Sequence, residues 1–325
     1  MGYNPFFWTG VVEDRNDPMF LGRVRVRIVG LHSSKLTEDD KTGEGISVQA
    51  LPWAYPGMPI TSASMNGIGD TPIGPVEGTW VCGIARDGRA CQNLLYLWTL
   101  PGIPGTLPKQ AGFNDTEDSI KKSTRPHPVG KQGELFPRPD HIKEPDTNRL
   151  ARNQNIAQTI IQTKRNNETK NVPTANGGAA WNEKTTAYAA KYPFNRVTES
   201  ESGHISEVDD TPGAERLHKY HRTGTFEEIH PDGSVVTKIV ADNFEVVIGS
   251  EFVNIKGNSN VTIDGNCRVY IVGNVEQQVG GNINQVVGGN VTETVGGNVT
   301  RNVSGTYTVT SGGNMKFVAP RIDMN

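Results

Sequence analysis

Apolar and polar residues alternate along the last quarter of the chain with a period of eight. Glycine recurs without a slip at Gly249, Gly257, Gly265, Gly273, Gly281, Gly289, Gly297, Gly305 and Gly313, and Asn follows seven of these nine. With glycine as position one, position seven holds Val247, Ile255, Ile263, Ile271, Val279, Val287, Val295 and Val303. Position three holds Val275, Ile283, Val291 and Val299 in the later repeats, with Cys267 before them. From Val275 to Val303 a β-branched aliphatic therefore recurs every four residues. A helix would drift by about 40° over each such step, and each interior glycine would cost it about 0.8–1 kcal/mol relative to alanine. A strand keeps positions two and four apart on one face, and Val, Ile and Thr suit a pleated surface. Gly-Asn supplies a pair able to take positive φ where the chain bends. The pattern predicts a stacked β array over 249–325.

Strand-like alternation also marks the start of the chain. In 22–30, Val24, Val26 and Ile28 fall on one face and Arg23, Arg25 and Arg27 on the other. Residues 78–84 and 93–98 read as further strands bounded by Gly and Asp. Residues 1–105 are thus expected to form a small closed or sandwiched β-domain, with the arginines on a solvated outer face. Residues 106–201 are rich in Pro and charge and read as an extended linker, with one helix expected over 148–164, where Leu150, Ile156, Ile160 and Ile161 share a face. Residues 202–248 read as a β-rich neck with a turn at Asp232-Gly233.

One octad offers two aliphatics, too few for a core. Either a single chain coils on itself, or three copies wind around a shared axis; the brevity of the unit favours the trimer. Ile255, Ile263, Ile271, Val279, Val287, Val295 and Val303 are then the core of the needle. Position five lies on the same strand face, yet it is Gln277, Gln285, Glu293 and Arg301 in the middle octads. Either these point inward and pair between layers, Glu293 with Arg301, or the Gly-Asn bend turns them outward. Beyond the octads, Phe317, Ile322 and Met324 stand at an end whose open strand edges invite a covering partner, so they are expected to dock a tip protein.

Composition narrows the function. The chain has 325 residues, a net charge of -3 and 35% hydrophobic residues, with 37 Gly and 20 Pro. This balance gives no electrostatic reason to bind nucleic acid and fits a turn-rich protein with small cores. Cys82, Cys91 and Cys267 lack a metal-site spacing and read as buried thiols. The first residues carry no secretory signal pattern, and no apolar run reaches the length of a membrane helix. His218 and His221 are three apart in a strand or turn, where they face opposite ways, and read as surface or interface histidines rather than metal ligands. Residues 210–213 read as a turn. No P-loop, nucleophile elbow or zinc-protease motif occurs. Glu134, Asp140, Glu144 and Asp146 could supply a carboxylate pair, but their surroundings are poor in apolar residues. No catalytic, cofactor-binding or metal-binding residue is expected, and no cofactor.

Three stretches resemble one family. Residues 7–18, followed by 21–28, look like the N-terminal OB-fold domain of the central spike of T-even-like contractile phage tails. Residues 209–216 and 230–234 resemble the approach to the needle in those spikes and in VgrG proteins of type VI secretion, and the octads resemble their triple-stranded β-helix. The resemblance implies an all-β fold with an N-terminal OB barrel and a C-terminal octapeptide β-helix. It further implies a homotrimeric, cell-puncturing spike in the virion baseplate, seated on a hub protein through its OB domains, with a PAAR-type cap at the tip and the host envelope as target. T-even spikes place a lysozyme domain between barrel and needle, whereas 106–201 lack its helical pattern, so a non-enzymatic spike is expected. The alternatives are a spike whose middle segment degrades peptidoglycan and a VgrG-like secretion tip. The latter normally carries its hub domains ahead of the OB domain, where this chain begins almost directly with the barrel strands.

Overall fold

The computed structural model describes residues 4–33, 45–62, 69–101, 146–154, 156, 168–200 and 202–323. Five strands build a closed barrel: β1 (Phe6–Asp14), β2 (Val24–Ile28), β3 (Trp53–Pro56), β4 (Trp80–Ala85) and β5 (Leu94–Thr99). Their order is β1-β2-β3-β5-β4, antiparallel except where β3 runs parallel to β5. That is the arrangement of an OB barrel. Alternate residues fill the interior: Trp8 and Val12 from β1, Val24, Val26 and Ile28 from β2, and Val81, Ala85, Leu94 and Tyr96 from the closing strands. The buried Tyr96 hydroxyl donates to the Gly22 carbonyl at 2.7 Å, and burial pushes its pKa up to about 12.

The arginine face of β2 is not solvated, contrary to expectation. Arg27 is fully buried; its Nε donates to Glu13 at 2.9 Å, and its Nη atoms donate to the carbonyls of Ser33 and Ile46. Arg25 donates to the Leu51 carbonyl and lies 4.4 Å from the centroid of the Trp53 ring. Arg23 pairs with Asp17 at 2.6 Å. The carbonyls of Ser33, Ile46 and Leu51 lie on this side of the barrel and need donors that the ladder does not supply. The guanidinium's fan of N–H groups meets that need. Asp17 also accepts from the backbone N–H groups of Met19, Leu21 and Arg23. Burial would raise its pKa, but the Arg23 hydrogen bond and these amides hold it well below the usual carboxylate range.

After the barrel, α1 (Asp146–Arg152) is the one α-helix among the described residues. It is shorter than the expected helix: Asn153 takes φ of 54°, and the Gln154 N–H returns to the Arg149 carbonyl, a left-handed stop. Most of 155–167, including Ile160 and Ile161, lies outside the described residues. A five-stranded antiparallel sheet follows in sequential order: β6 (Asn195–Glu199), β7 (Ile205–Asp209), β8 (Arg216–Tyr220), β9 (Phe226–Ile229) and β10 (Val235–Lys238). Its first strand falls within the stretch expected to be linker. The β9–β10 hairpin turns at Asp232-Gly233, where Gly233 has φ of 79°. No described helix is long and apolar enough to cross a membrane. The chain divides into two units, Met1–Thr262 and Ile263–Asn325.

Gly83 fixes the seam between β4 and β5, where the register shifts between Cys82 and Gly83. A Cβ there would stand 1.8 Å from the Leu95 carbonyl oxygen and 2.8 Å from the Tyr96 Cα, both backbone atoms. Gly83→Ala is expected to destabilise the barrel by about 1–3 kcal/mol or more, seen as a lower denaturation midpoint; an unchanged midpoint would contradict this close approach.

Candidate functional site

The neck sheet turns its charges inward. Register places Asn195, Asp209 and Arg216 in one inner row, and Glu207, His218 and Glu228 in the next. These six are almost wholly buried. Arg216 lies between two carboxylates, 2.7 Å from Glu207 and 2.9 Å from Glu228. His218 Nδ1 meets Glu207 at 2.9 Å, and His230 Nε2 meets Glu228 at 3.2 Å. Because a carboxylate only accepts, Nδ1 of His218 carries the proton. The third row, Ile205, Tyr220 and Phe226, packs with Leu150 of α1 and with Tyr188.

The chain covers this face itself. The Thr186 hydroxyl and the Ala187 N–H donate to Glu228, and Lys191 N–H donates to the Thr211 hydroxyl. Tyr188 and Asn195 both donate to the Leu150 carbonyl, and Arg216 stacks 5.0 Å from the Tyr188 ring centroid. Lys238 pairs with Glu183 at 2.7 Å. The segment from Glu183 to Lys191 is thus a strap laced to the sheet by charge and hydrogen bonds. On the outer face, one register row carries Val208, Leu217, Ile229 and Val235, of which Val208, Leu217 and Val235 are exposed.

The carboxylates of this cluster are held in ion pairs. Burial alone would raise the Glu207 carboxyl, but His218, Arg216 and Asn195 hold it down at about 2. A general acid needs a pKa near the working pH; Glu207 is moved the opposite way and sealed from solvent. His218, expected at a surface or interface, is instead buried within the chain itself, 1% exposed. His221 is exposed and stacks on His204 with ring centroids 4.4 Å apart. The expected turn is present, Ala214 N–H returning to the Thr211 carbonyl. Of the middle carboxylates, Asp146 opens α1, while Glu134, Asp140 and Glu144 lie outside the described residues.

Each octad glycine marks a bend. From Gly249 to Gly313 the chain bends at the glycine and at the residue before it, with six straight residues between bends. No strand pairing, and no backbone-to-backbone hydrogen bond, joins the octads among the described residues. The position-seven aliphatics from Val247 to Val303 are 44% to 57% exposed, so no described residue of the chain buries them. Cys91 is buried and Cys82 half-buried, but Cys267 is exposed, because it sits in an octad without cover. At the end, Phe317 is exposed and so is Ile322; Met324 lies outside the described residues.

The octads also hold a pattern that the glycine count hides. The odd position that lacks an aliphatic moves along the shaft. It is position three in Glu251, Ser259 and Cys267, position five in Gln277, Gln285, Glu293 and Arg301, and position seven in Ser311 and Ala319. Arg301 reaches Glu293 at 3.5 Å and the Tyr307 hydroxyl at 3.0 Å, so these odd positions share one side of the chain. The signal available earlier was the row of Val253, Val261 and Val269 at position five of the first octads.

Two consequences of the neck are measurable. Arg216→Met strips the shared cation from two buried carboxylates and is expected to cost about 3–5 kcal/mol in denaturant unfolding. Acid should act in two stages. Burial lowers the His218 pKa from 6.5, so its contribution is full above about pH 6.5 and declines below. Glu207 is lowered from 4.5 to about 2, so its contribution is present above about pH 4.5 and lost as the pH falls towards 2. Melting temperature measured against pH should fall over both windows, and Glu207→Gln should flatten the lower one; an unchanged lower limb in that variant would contradict the assignment.

Comparison with known proteins gives a consistent pattern. Residues 30–197, more than half of the chain, match the family model described as the Gp5 N-terminal OB domain. The chain is similar to Protein Gp5 of Vibrio phage KVP40, 48% identical over 276 residues that make up 76% of this chain and 61% of that protein. It is also similar to the pre-baseplate central spike protein Gp5 of Enterobacteria phage T4, 47% identical over 110 residues, 34% of this chain and 19% of that protein. The aligned part thus spans less than two thirds of either relative.

Proposed function

The chain belongs to the Gp5 family of T4-like baseplate central spikes, and from that premise we propose that it is a trimeric, non-enzymatic spike of the virion baseplate that is driven through the host envelope when the tail contracts. The observation that carries the reading is the state of the octads. Their position-seven aliphatics stand about half exposed, and no backbone-to-backbone hydrogen bond joins them among the described residues. A single chain coiled on itself would pair one octad with another. Copies wound around one axis would instead supply both the missing hydrogen bonds and the missing apolar cover, in the triple-stranded β-helix that the repeat suggests.

The other parts take their roles from this arrangement. The barrel seats the spike on a baseplate hub, the neck passes load from barrel to shaft, and Phe317, Ile322 and Met324 receive a PAAR-type cap. The one buried carboxylate cluster described is locked in ion pairs, which favours a structural neck over a catalytic one.

Native mass measurement is expected to give three chains, and Val287→Asp, which would bury a carboxylate from every copy, is expected to give monomers. A monomer mass for the unmodified chain with its octads still folded would sink the proposal. On a peptidoglycan zymogram the chain is expected to leave no lytic band; a band lost in Glu134→Gln or Glu144→Gln would overturn the non-enzymatic reading.

A further inference from the structure

We propose that Glu293 and Arg301 are the register key of the shaft, a pair of charged layers that holds three copies of this chain in one axial alignment. The inference rests on the trimer reading above and addresses a problem which that reading creates. A perfect octad repeat is degenerate. If one chain slides by eight residues, valine still meets valine and glycine still meets glycine. From Val275 to Val303, where aliphatics recur every four residues, even a slip of four keeps aliphatic against aliphatic. Repetitive strands leave register weakly specified unless something breaks the symmetry.

Position five breaks it. Gln277 and Gln285 are alike, but Glu293 and Arg301 are single and opposite in charge. The geometry puts them on the side that an assembly buries. Arg301 reaches back to Glu293 at 3.5 Å and forward to the Tyr307 hydroxyl at 3.0 Å. Tyr307 occupies position three, the position of Val291 and Val299 in the octads before it. The charged pair therefore shares the aliphatic side, and packing that covers the valines also removes Glu293 and Arg301 from water. Within one chain both are about 60% exposed, so the pair contributes little until copies come together.

Once buried, the charges discriminate between alignments. In register, three Glu293 carboxylates form one layer and three Arg301 guanidinium groups the next, and the two layers neutralise each other. A slip of one octad sets one charge of the displaced chain level with its opposite but the other level with Val309 (for Arg301) or Gln285 (for Glu293) of its neighbours, leaving that charge buried beside a group that cannot compensate it. Removing one partner of a buried pair is far more costly than the pair itself is worth. Polar residues at isolated core positions fix register in coiled coils by the same means, at some expense in stability.

The test uses the full chain and three variants, Glu293→Arg, Arg301→Glu and the exchange of both. Dissociation temperature is followed by native mass and light scattering, and register is read at Cys267, which can form a disulfide with its own copy only when two chains are level. A slip of eight residues sets it opposite Ser259 or Val275. Each single variant is expected to lower the dissociation temperature by at least about 5 °C and to reduce Cys267 cross-linking several-fold under mild oxidation. The exchange variant is expected to recover most of both. Single variants as stable as the unmodified trimer, an exchange variant as impaired as the singles, or equal cross-linking in all four proteins would each overturn the register key while leaving the trimer intact. A monomer mass for the unmodified chain would instead remove the reading on which the key rests.

Discussion

A described backbone that runs from Gly249 to Asp323 without backbone-to-backbone pairing must find partners elsewhere or leave most of its polar groups in water, and its aliphatics face the same choice. Both conditions hold in the octads, and they constrain the rest of the molecule. A segment of this kind has no core of its own among the described residues, and in the proposed trimer its order would come from contacts between copies. The glycine bends confine the freedom that remains, since each straight run is only six residues long. Length can then be added by repeating the unit without enlarging a core. In this it differs from a globular domain, whose burial comes from thickness.

The neck solves the opposite problem. It has a sheet of ordinary size but puts Glu207, Arg216, His218 and Glu228 on the face that its own strap covers, and an apolar row on the face that nothing in the described chain covers. Buried ion pairs are poor sources of net stability, but they tolerate few alternative arrangements. Here the arrangement locates the strap: Glu228 accepts from Thr186 and Ala187, and Glu207 accepts from Asn195 beside Leu150. A covering segment held by directional bonds cannot slide along the sheet as one held by aliphatic contact can.

The sequence made some of this legible and concealed the rest for a definite reason. The barrel strands around Val24, Val81 and Leu94 and the Asp232-Gly233 turn could be read because their signals are local: alternation, and residues that favour a given dihedral. Strand β3, only four residues long and ending in Pro56, has too little alternation to announce itself. The arginines of β2 and the inner row of the neck show the same period of two, with charge where an apolar face would be expected, and charge at period two reads as solvent. Alternation reports that two faces differ; it does not report which one the chain will later cover. That depends on loops and straps distant in sequence, on the carbonyls of Ser33 and Ile46 for Arg27 and on Thr186 and Tyr188 for the neck. The expected helix over 148–164 was overextended for a related reason: Asn153 stops α1 through a left-handed dihedral, which a plot of apolar positions does not register.

Barrel, neck and shaft therefore share one rule about charge. Each buries ionic groups, and each does so in compensating sets: Arg27 with Glu13, Arg216 with Glu207 and Glu228, and in the proposed assembly Arg301 with Glu293. The first two sets are closed within the chain and specify where its own loops and strap lie. The third is half exposed in one chain, so it has nothing to specify until other copies arrive. Seen this way, departures from the octad are as informative as the octad itself. The repeat supplies a straight, stackable unit with no preferred alignment, and the irregular odd positions supply what a repeat cannot, a distinction between one layer and the next.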